Sequence, residues 1–198
     1  MNLVKPELSF NGTISKRTIT NYIILHHAAG YGTVYSVHKY HKEHNGWKGI
    51  AYNFYIEKDG TIYDCRGFDG VGGHTTSYNN NSIGICLEGN FTTGYPTKKQ
   101  IESCKELLKE CKRRYPDAKI IRHCDVNQTA CPGNNFPFND ILKYNEEETP
   151  TWAKEACQWC IDNGLIKGDA DGYRWNDTIT RAEIAVFIYR MYKKYLDK

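Results

Sequence analysis

Two stretches of this chain read as buried strands that run directly into histidine. Tyr22-Ile23-Ile24-Leu25 leads to His26-His27, and Ile120-Ile121 leads through Arg122 to His123. Short apolar runs rich in β-branched residues are strand signals. A strand ending in an imidazole presents it at the carboxyl edge of a sheet, where binding sites of open α/β sheets are built. Eight residues beyond His123, Cys131 sits in a loop held by Pro132 and Gly133. An imidazole from each of two neighbouring strands, plus this thiolate, would make a His-His-Cys site for a soft-to-borderline metal. Three protein ligands leave the fourth tetrahedral position to water, the catalytic pattern rather than the structural one. Taken singly, each residue has a plainer reading. A strand-end histidine is more often a satisfied polar group, and a free cysteine is usually a small buried hydrophobe. The joint pattern is what carries weight.

At 198 residues the chain has room for one medium domain and a small appendage. Its net charge of +3 is too mild to argue for nucleic acid but suits an anionic polymer such as a cell wall. Fifteen tyrosines are compatible with stacking on sugars and equally with ordinary packing. There is no basic and apolar leader at the N-terminus and no run of about 18 apolar residues, so neither a secretion signal nor a membrane span is expected. The chain therefore reads as made in the cytoplasm, wherever it acts. Without a signal, the eight cysteines read as thiols or metal ligands rather than a disulfide framework.

Along the chain, Thr33 is placed to cap a helix reaching about His44. His38, His41 and His44 drift around that helix, so they read as solvated or groove-edge groups rather than a second metal site. A strand over 50–56 follows, with Tyr52, Phe54 and Ile56 on one face by alternation. Asp59-Gly60 marks a hairpin turn to a returning strand at 61–65. Residues 66–82 form a long glycine- and asparagine-rich loop containing His74, and long loops in compact domains are usually functional or disordered. Ile83-Gly84-Ile85-Cys86-Leu87 is apolar throughout and reads as a central strand, ending in Glu88, where burial would raise a carboxylate toward the range of a general base. A solvated strand-end glutamate is the equal alternative. Residues 97–114 make an amphipathic helix with Ile101, Cys104, Leu107, Leu108 and Cys111 on its apolar stripe. The strand 119–124 and a short helix opened by Phe136-Pro137-Phe138 and reaching about Tyr144 complete the unit. Strands alternating with helices predict an α/β fold, a mixed central sheet flanked by helices.

Five blocks, in order, resemble the zinc-dependent N-acetylmuramoyl-L-alanine amidases of type 2, a family that includes phage endolysins, autolysins and peptidoglycan recognition proteins. They are Leu25-His26-His27, Gly46-Trp47 with Ile50-Ala51-Tyr52-Asn53-Phe54, Gly73-His74, Asn81-Ser82-Ile83-Gly84-Ile85 with Glu88-Gly89, and Arg122-His123-Cys124-Asp125 with Cys131-Pro132-Gly133. The resemblance spans about residues 15–145. It implies cleavage of the amide between N-acetylmuramic acid and L-alanine of the stem peptide. It also implies Zn2+ held by His26, His123 and Cys131, leaving out His27 as facing the other side of its strand. Tyr52 would stand beside the metal, Glu88 would be the base and Thr129 the oxyanion donor, while His74, Asn81 and Trp47 would line the substrate groove. Thr129 departs from the lysine that many phage and bacterial members carry there. The same blocks admit a second reading, a recognition module that holds peptidoglycan without cutting it; retention of Cys131 favours the enzyme.

Asn145-Glu146-Glu147-Glu148-Thr149-Pro150 is charged and ends in proline, which suggests a linker. The expected organisation is a catalytic domain over 1–145, a linker over 146–150 and a helical segment over 151–198. Trp152, Gly164-Leu165-Ile166-Lys167-Gly168, Asp171-Gly172-Tyr173 and Ile179-Thr180-Arg181-Ala182-Glu183 resemble one S-layer homology repeat. Thr180 and Glu183 form a capping box. The resemblance implies binding of secondary cell-wall polysaccharide, usually by three such repeats. A lone helix pair buries little, so this segment either docks on the first domain or self-associates into a homo-oligomer. Cys157 and Cys160 lack a second pair for a metal site. Asp169 and Asp171 lie in too short a loop for an EF-hand.

Overall fold

The computed structural model describes residues 1, 3–144, 153–167 and 179–197. It divides into two units, Met1–Lys143 and Tyr144–Lys198. The expected linker, Trp152 and the loop 169–175 lie outside the described residues.

The first unit is built on a six-stranded mixed sheet. Its strands are β1 (Leu3–Val4), β2 (Tyr22–His27), β3 (Phe54–Ile56), β4 (Ile62–Asp64), β5 (Ser82–Leu87) and β6 (Lys119–Arg122), in the order β1-β4-β3-β5-β2-β6. Only β3 and β4 run antiparallel, joined by the Asp59-Gly60 turn in which Gly60 adopts a φ of +90°. β2 and β5 lie inside the sheet, and their apolar runs are fully buried because both faces are covered. β6 instead occupies an edge and is half exposed, so Ile120-Ile121 is less buried than its composition suggests.

Helix α1 (Val34–Lys39) starts at Thr33, whose hydroxyl accepts the Ser36 N–H. It passes into a π-helical turn over Tyr40–His44 rather than continuing as one α-helix. With Val34, Ile50, Tyr55, Cys65 and Cys86 it forms the core on one face of the sheet. Helix α2 (Lys98–Arg114) opens with a capping box between Thr97 and Gln100. Cys104, Leu107, Leu108 and Cys111 are its buried stripe. Gln100, polar by type, is buried too: its amide donates to the carbonyls of Ile56 and Glu88 and so ties α2 to the sheet. Helix α3 (Phe138–Ile141) is a single turn.

Asn53 interrupts the expected alternation of strand 50–56. It lies in a bend, fully buried, and its side chain accepts from the Gly84 N–H and donates to the carbonyls of Gly67 and Gly70. β3 therefore begins only at Phe54, and Tyr52 is not bound to the face that Phe54 and Ile56 occupy.

In the second unit, α4 (Lys154–Asp162) ends at Gly164, which takes a φ of +66°. The Gly164 and Leu165 N–H groups donate back to Ile161 and Cys160, the Schellman pattern of a glycine-terminated helix. Helix α5 (Arg181–Tyr195) carries the Thr180–Glu183 capping box. Trp159 stacks on Tyr195, and Arg190 donates to the Leu165 carbonyl. All eight cysteines are free thiols. No described helix is long and apolar enough to cross a membrane.

Asn53→Ala strands one buried N–H and two carbonyls, each costing about 1–3 kcal/mol when left unmet. It should lower unfolding stability by about 2–4 kcal/mol, read from denaturant midpoints. A loss below about 0.5 kcal/mol would mean that the bend holds itself.

Candidate active site

The parallel pairing of β2 with β5 and β6 fixes the site. Leu25 is level with Arg122, so His26 and His123 emerge side by side at the carboxyl edge, with ring centroids 4.5 Å apart. The loop after β6 begins with a 3-10 turn over His123–Asp125 and folds back until the Cys124 N–H donates to the Cys131 carbonyl at 2.9 Å. Cys131 Sγ then lies 3.6 Å from His26 Nδ1 and accepts the His27 N–H at 3.4 Å. Gly133, at φ +97°, is required there: a Cβ would meet the Phe91 backbone at 2.3 Å.

One ligand atom from each of His26, His123 and Cys131 lies within 4.8 Å of the others. Tetrahedral metal with ordinary Zn–N and Zn–S lengths needs N···S edges of about 3.5 Å, so the 3.6 Å between His26 Nδ1 and Cys131 Sγ fits. Among the described residues this is the one His, Cys or carboxylate cluster with metal-binding geometry. Burial, then the neighbouring imidazoles, keeps the His26 pKa well below the usual value and the ring neutral, the form that ligates. Burial also pushes the Cys131 thiol up to about 12, against a smaller opposite pull from the His27 N–H.

These groups line a cleft of about 410 Å³ with Tyr52, His41, Trp47 and Thr129. The Tyr52 ring lies 5.3 Å from that of His26. Burial, followed by the nearby Cys86 and Cys131 thiols, raises its phenol far above the usual range, so it remains a proton donor. Thr129 is exposed, and its oxygen accepts the Cys131 N–H, leaving the hydroxyl proton free to donate. Trp47 packs beside His41 at the cleft rim.

A family model described as N-acetylmuramoyl-L-alanine amidase matches residues 15–134. The chain belongs to that family. It is a peptidoglycan amide hydrolase, and its family is typically metal-dependent. A second model, the S-layer homology domain, matches residues 147–185. Peptidoglycan-recognition protein SC2 of Drosophila melanogaster is 34% identical over 156 residues, covering 71% of this chain and 84% of that protein. The endolysin of Klebsiella phage KP32 is 37% identical over 127 residues, covering 60% of this chain and 83% of the endolysin. The solved N-acetylmuramoyl-L-alanine amidase LysC from Clostridium intestinale URNW superposes with a TM-score of 0.69 at 37% identity, over 74% of this chain and 98% of LysC.

Two expected site residues are elsewhere in this amidase. Glu88 does not line the cleft. Its carboxylate accepts the N–H groups of Gly32 and Lys58, which bind the loops around the end of β5. Asn81 precedes β5 at the opposite edge of the sheet, and its carbonyl accepts from Asn21 and Tyr22. His74 does line the cleft, but as a buried ring bonded to His26 rather than a free groove donor. Two further histidines line the cleft. His27 is buried, lines the cleft and accepts the Phe91 N–H at Nδ1. His41, expected to be solvated or at the groove edge, is buried at that edge and accepts the Ala51 N–H at Nδ1. Its proton therefore sits on Nε2. The signal for His41 was available: it lies three residues from His38, which is also buried and takes the Ile50 N–H.

Burial, then the charges of Arg66 and His38, pushes His41 down to about 4 from 6.5. Between those values the unfolded chain binds a proton that the folded protein refuses. Stability present above pH 6.5 is thus lost as pH falls toward 4. Denaturant midpoints measured from neutral pH down to that limit should decline, and those of His41→Gln should decline less steeply. Parallel curves for the two proteins would remove His41 from the account.

Proposed function

We propose that this amidase hydrolyses the bond between the lactyl group of N-acetylmuramic acid and L-alanine with a zinc ion held by His26, His123 and Cys131, and that it serves as an endolysin. The observation that carries the reading is the three-ligand cluster opening into the cleft, with a fourth direction left to substrate and water. Zinc bound there would supply an acidified water and a Lewis acid for the amide carbonyl. The chain's own residues do the remainder. His26 and His123 ligate as neutral imidazoles, and the His27 N–H steadies the Cys131 sulfur. Tyr52 and Thr129 donate to the oxygen on which negative charge develops. His41 Nε2–H and Trp47 give the cleft wall a donor and a stacking face for the muramoyl-peptide. Among the described residues no Asp or Glu lines the cleft, so no carboxylate base is assigned.

Peptidoglycan as the bound polymer is supported by relatives solved with a fragment of it, including the Drosophila PGRP-LB Y78F mutant in complex with tracheal cytotoxin. Residues 1–145 would be the catalytic domain. The segment over 151–198, with its S-layer homology match, would hold secondary cell-wall polysaccharide.

Purified peptidoglycan incubated with the protein should release free amino termini, with L-alanine-headed stem peptides seen by mass spectrometry. Chelation should stop the release and zinc should restore it. Cys131→Ser should lose metal and activity together. Tyr52→Phe should lower kcat about 10²-fold or more, the scale of one oxyanion donor. Glu88→Gln should keep kcat within a few-fold. Wall binding without new amines would instead support the recognition-module reading, and a Glu88→Gln loss as large as that of Tyr52→Phe would return the base to Glu88.

A further inference from the structure

His74 has no part in the metal cluster, yet the structure commits both of its ring nitrogens. His74 Nδ1 lies 3.0 Å from His26 Nε2, with the two rings edge to face at 80°. His74 Nε2 lies 3.5 Å from Ser82 Oγ, and that hydroxyl donates to the Tyr78 carbonyl at 2.7 Å. The direction of this chain can be fixed from either end. A carbonyl only accepts, so the Ser82 proton is spent on Tyr78 and the Ser82 oxygen accepts from His74 Nε2–H. That leaves a lone pair on His74 Nδ1. From the other end, His26 Nδ1 faces the Cys131 sulfur and must be bare to ligate, so the His26 proton lies on Nε2. Both deductions meet at one place: His26 Nε2–H faces the bare His74 Nδ1 at 3.0 Å, and the Thr75 hydroxyl stands beside the pair, 2.9 Å from His74 Nδ1 and 3.4 Å from His26 Nε2.

The surroundings are shaped for this ring. A Cβ on Gly72 would stand 2.3 Å from His74 Cδ2, and one on Gly84 would stand 2.4 Å from the same atom. Gly84 sits in the middle of β5, where glycine otherwise weakens a strand. The Asn79 side chain accepts the N–H groups of both His74 and Thr75, which pins the backbone beneath the ring.

We propose that His74 is a positioning residue for the metal: it accepts the Nε2 proton of His26 and so holds His26 in the tautomer and orientation that present Nδ1 to the ion. This rests on His26, His123 and Cys131 being the ligands. Outer partners of ligating histidines are typically a carboxylate, carbonyl or water, and losing one costs about 10–100-fold in metal affinity or activity. Here an imidazole takes that place. With both nitrogens used, His74 offers substrate only a ring face.

The test is zinc affinity by competition with a chromogenic chelator, together with the visible spectrum of the cobalt-substituted protein. His74→Phe keeps a ring but has no acceptor; His74→Asn puts an oxygen near the position of Nδ1. His74→Phe should bind zinc about 10–100-fold more weakly and shift the cobalt bands, while His74→Asn should stay within a few-fold of the native protein. If circular dichroism shows that His74→Phe is unfolded, His74→Ala takes its place with the same expectation. Native affinity and an unchanged cobalt spectrum in the acceptor-less variant would overturn the proposal, as would equal losses in the Phe and Asn variants. If the native protein takes up no zinc, or His26→Ala binds it as well as the native protein does, the ligand assignment falls, and this inference with it.

Discussion

Parallel hydrogen bonding across β5, β2 and β6 decides where every group of the cleft can stand. In that register His26 is level with Cys86, and His123 follows one residue after the Leu25–Arg122 pair. Side chains alternate along a strand, so a slip of one residue would turn His26 away from the cleft and drive Leu25 into it. The register is held by burial: Ile23, Leu25, Ile83, Ile85 and Leu87 lie on the opposite face and are wholly inaccessible to solvent. A hydrophobic pattern laid down for the core thus also sets the spacing of His26 and His123 in the cluster. Its third member needs separate control, because Cys131 is in a loop. The bond from Cys124 N–H to the Cys131 carbonyl and the absence of a Cβ at Gly133 supply it.

The histidines share a second device. His27, His38 and His41 each accept a backbone N–H at Nδ1, from Phe91, Ile50 and Ala51. Those N–H groups belong to irregular backbone outside the strands and helices and would otherwise be buried without partners. Accepting at Nδ1 fixes the proton on Nε2, and burial keeps each ring neutral by penalising the charged form. Fold and chemistry therefore draw on the same bonds. For His27 and His41, which line the cleft, the ring that closes the hydrogen-bond account of a loop also stands at the cleft in a defined tautomer.

Much of this was legible in the sequence. Strand-end histidines, the Asp59-Gly60 turn, the Thr33 and Thr180 caps and the apolar β5 run are local signals, and each corresponds to an element of the structure. His26, His123 and Cys131 could be brought together because parallel strands align their ends. The misplacements have a common physical origin in side chains that bond to distant backbone. Strict alternation put Tyr52 with Phe54 and Ile56, but the three bonds of Asn53 reach Gly67, Gly70 and Gly84 and bend the chain before β3. Helical periodicity leaves His41 either solvated or at the groove edge without deciding between them, because its partner Ala51 lies in the segment that follows. Asn81 was drawn into the groove by its place in a motif, whereas strand direction puts it at the amino end of β5, away from the cleft.

Glu88 shows how the end of a strand divides structural from chemical roles. Cys86 is the β5 residue level with His26, and it is buried, its thiol held far above the usual range by desolvation. Two residues later the chain has left the sheet, and the first unpaired donors that Glu88 meets are the N–H groups of Gly32 and Lys58. Two backbone N–H groups donate to that carboxylate, and withdrawing it would leave both donors unmet. The β5 position level with His26 is thus filled by a thiol that does not ionise. The cleft is consequently a surface of donors: Tyr52 with its raised phenol, the Thr129 hydroxyl and His41 Nε2–H. A surface of donors attracts developing negative charge more strongly than it attracts a neutral group, and a preference of that kind is the differential binding on which catalysis rests.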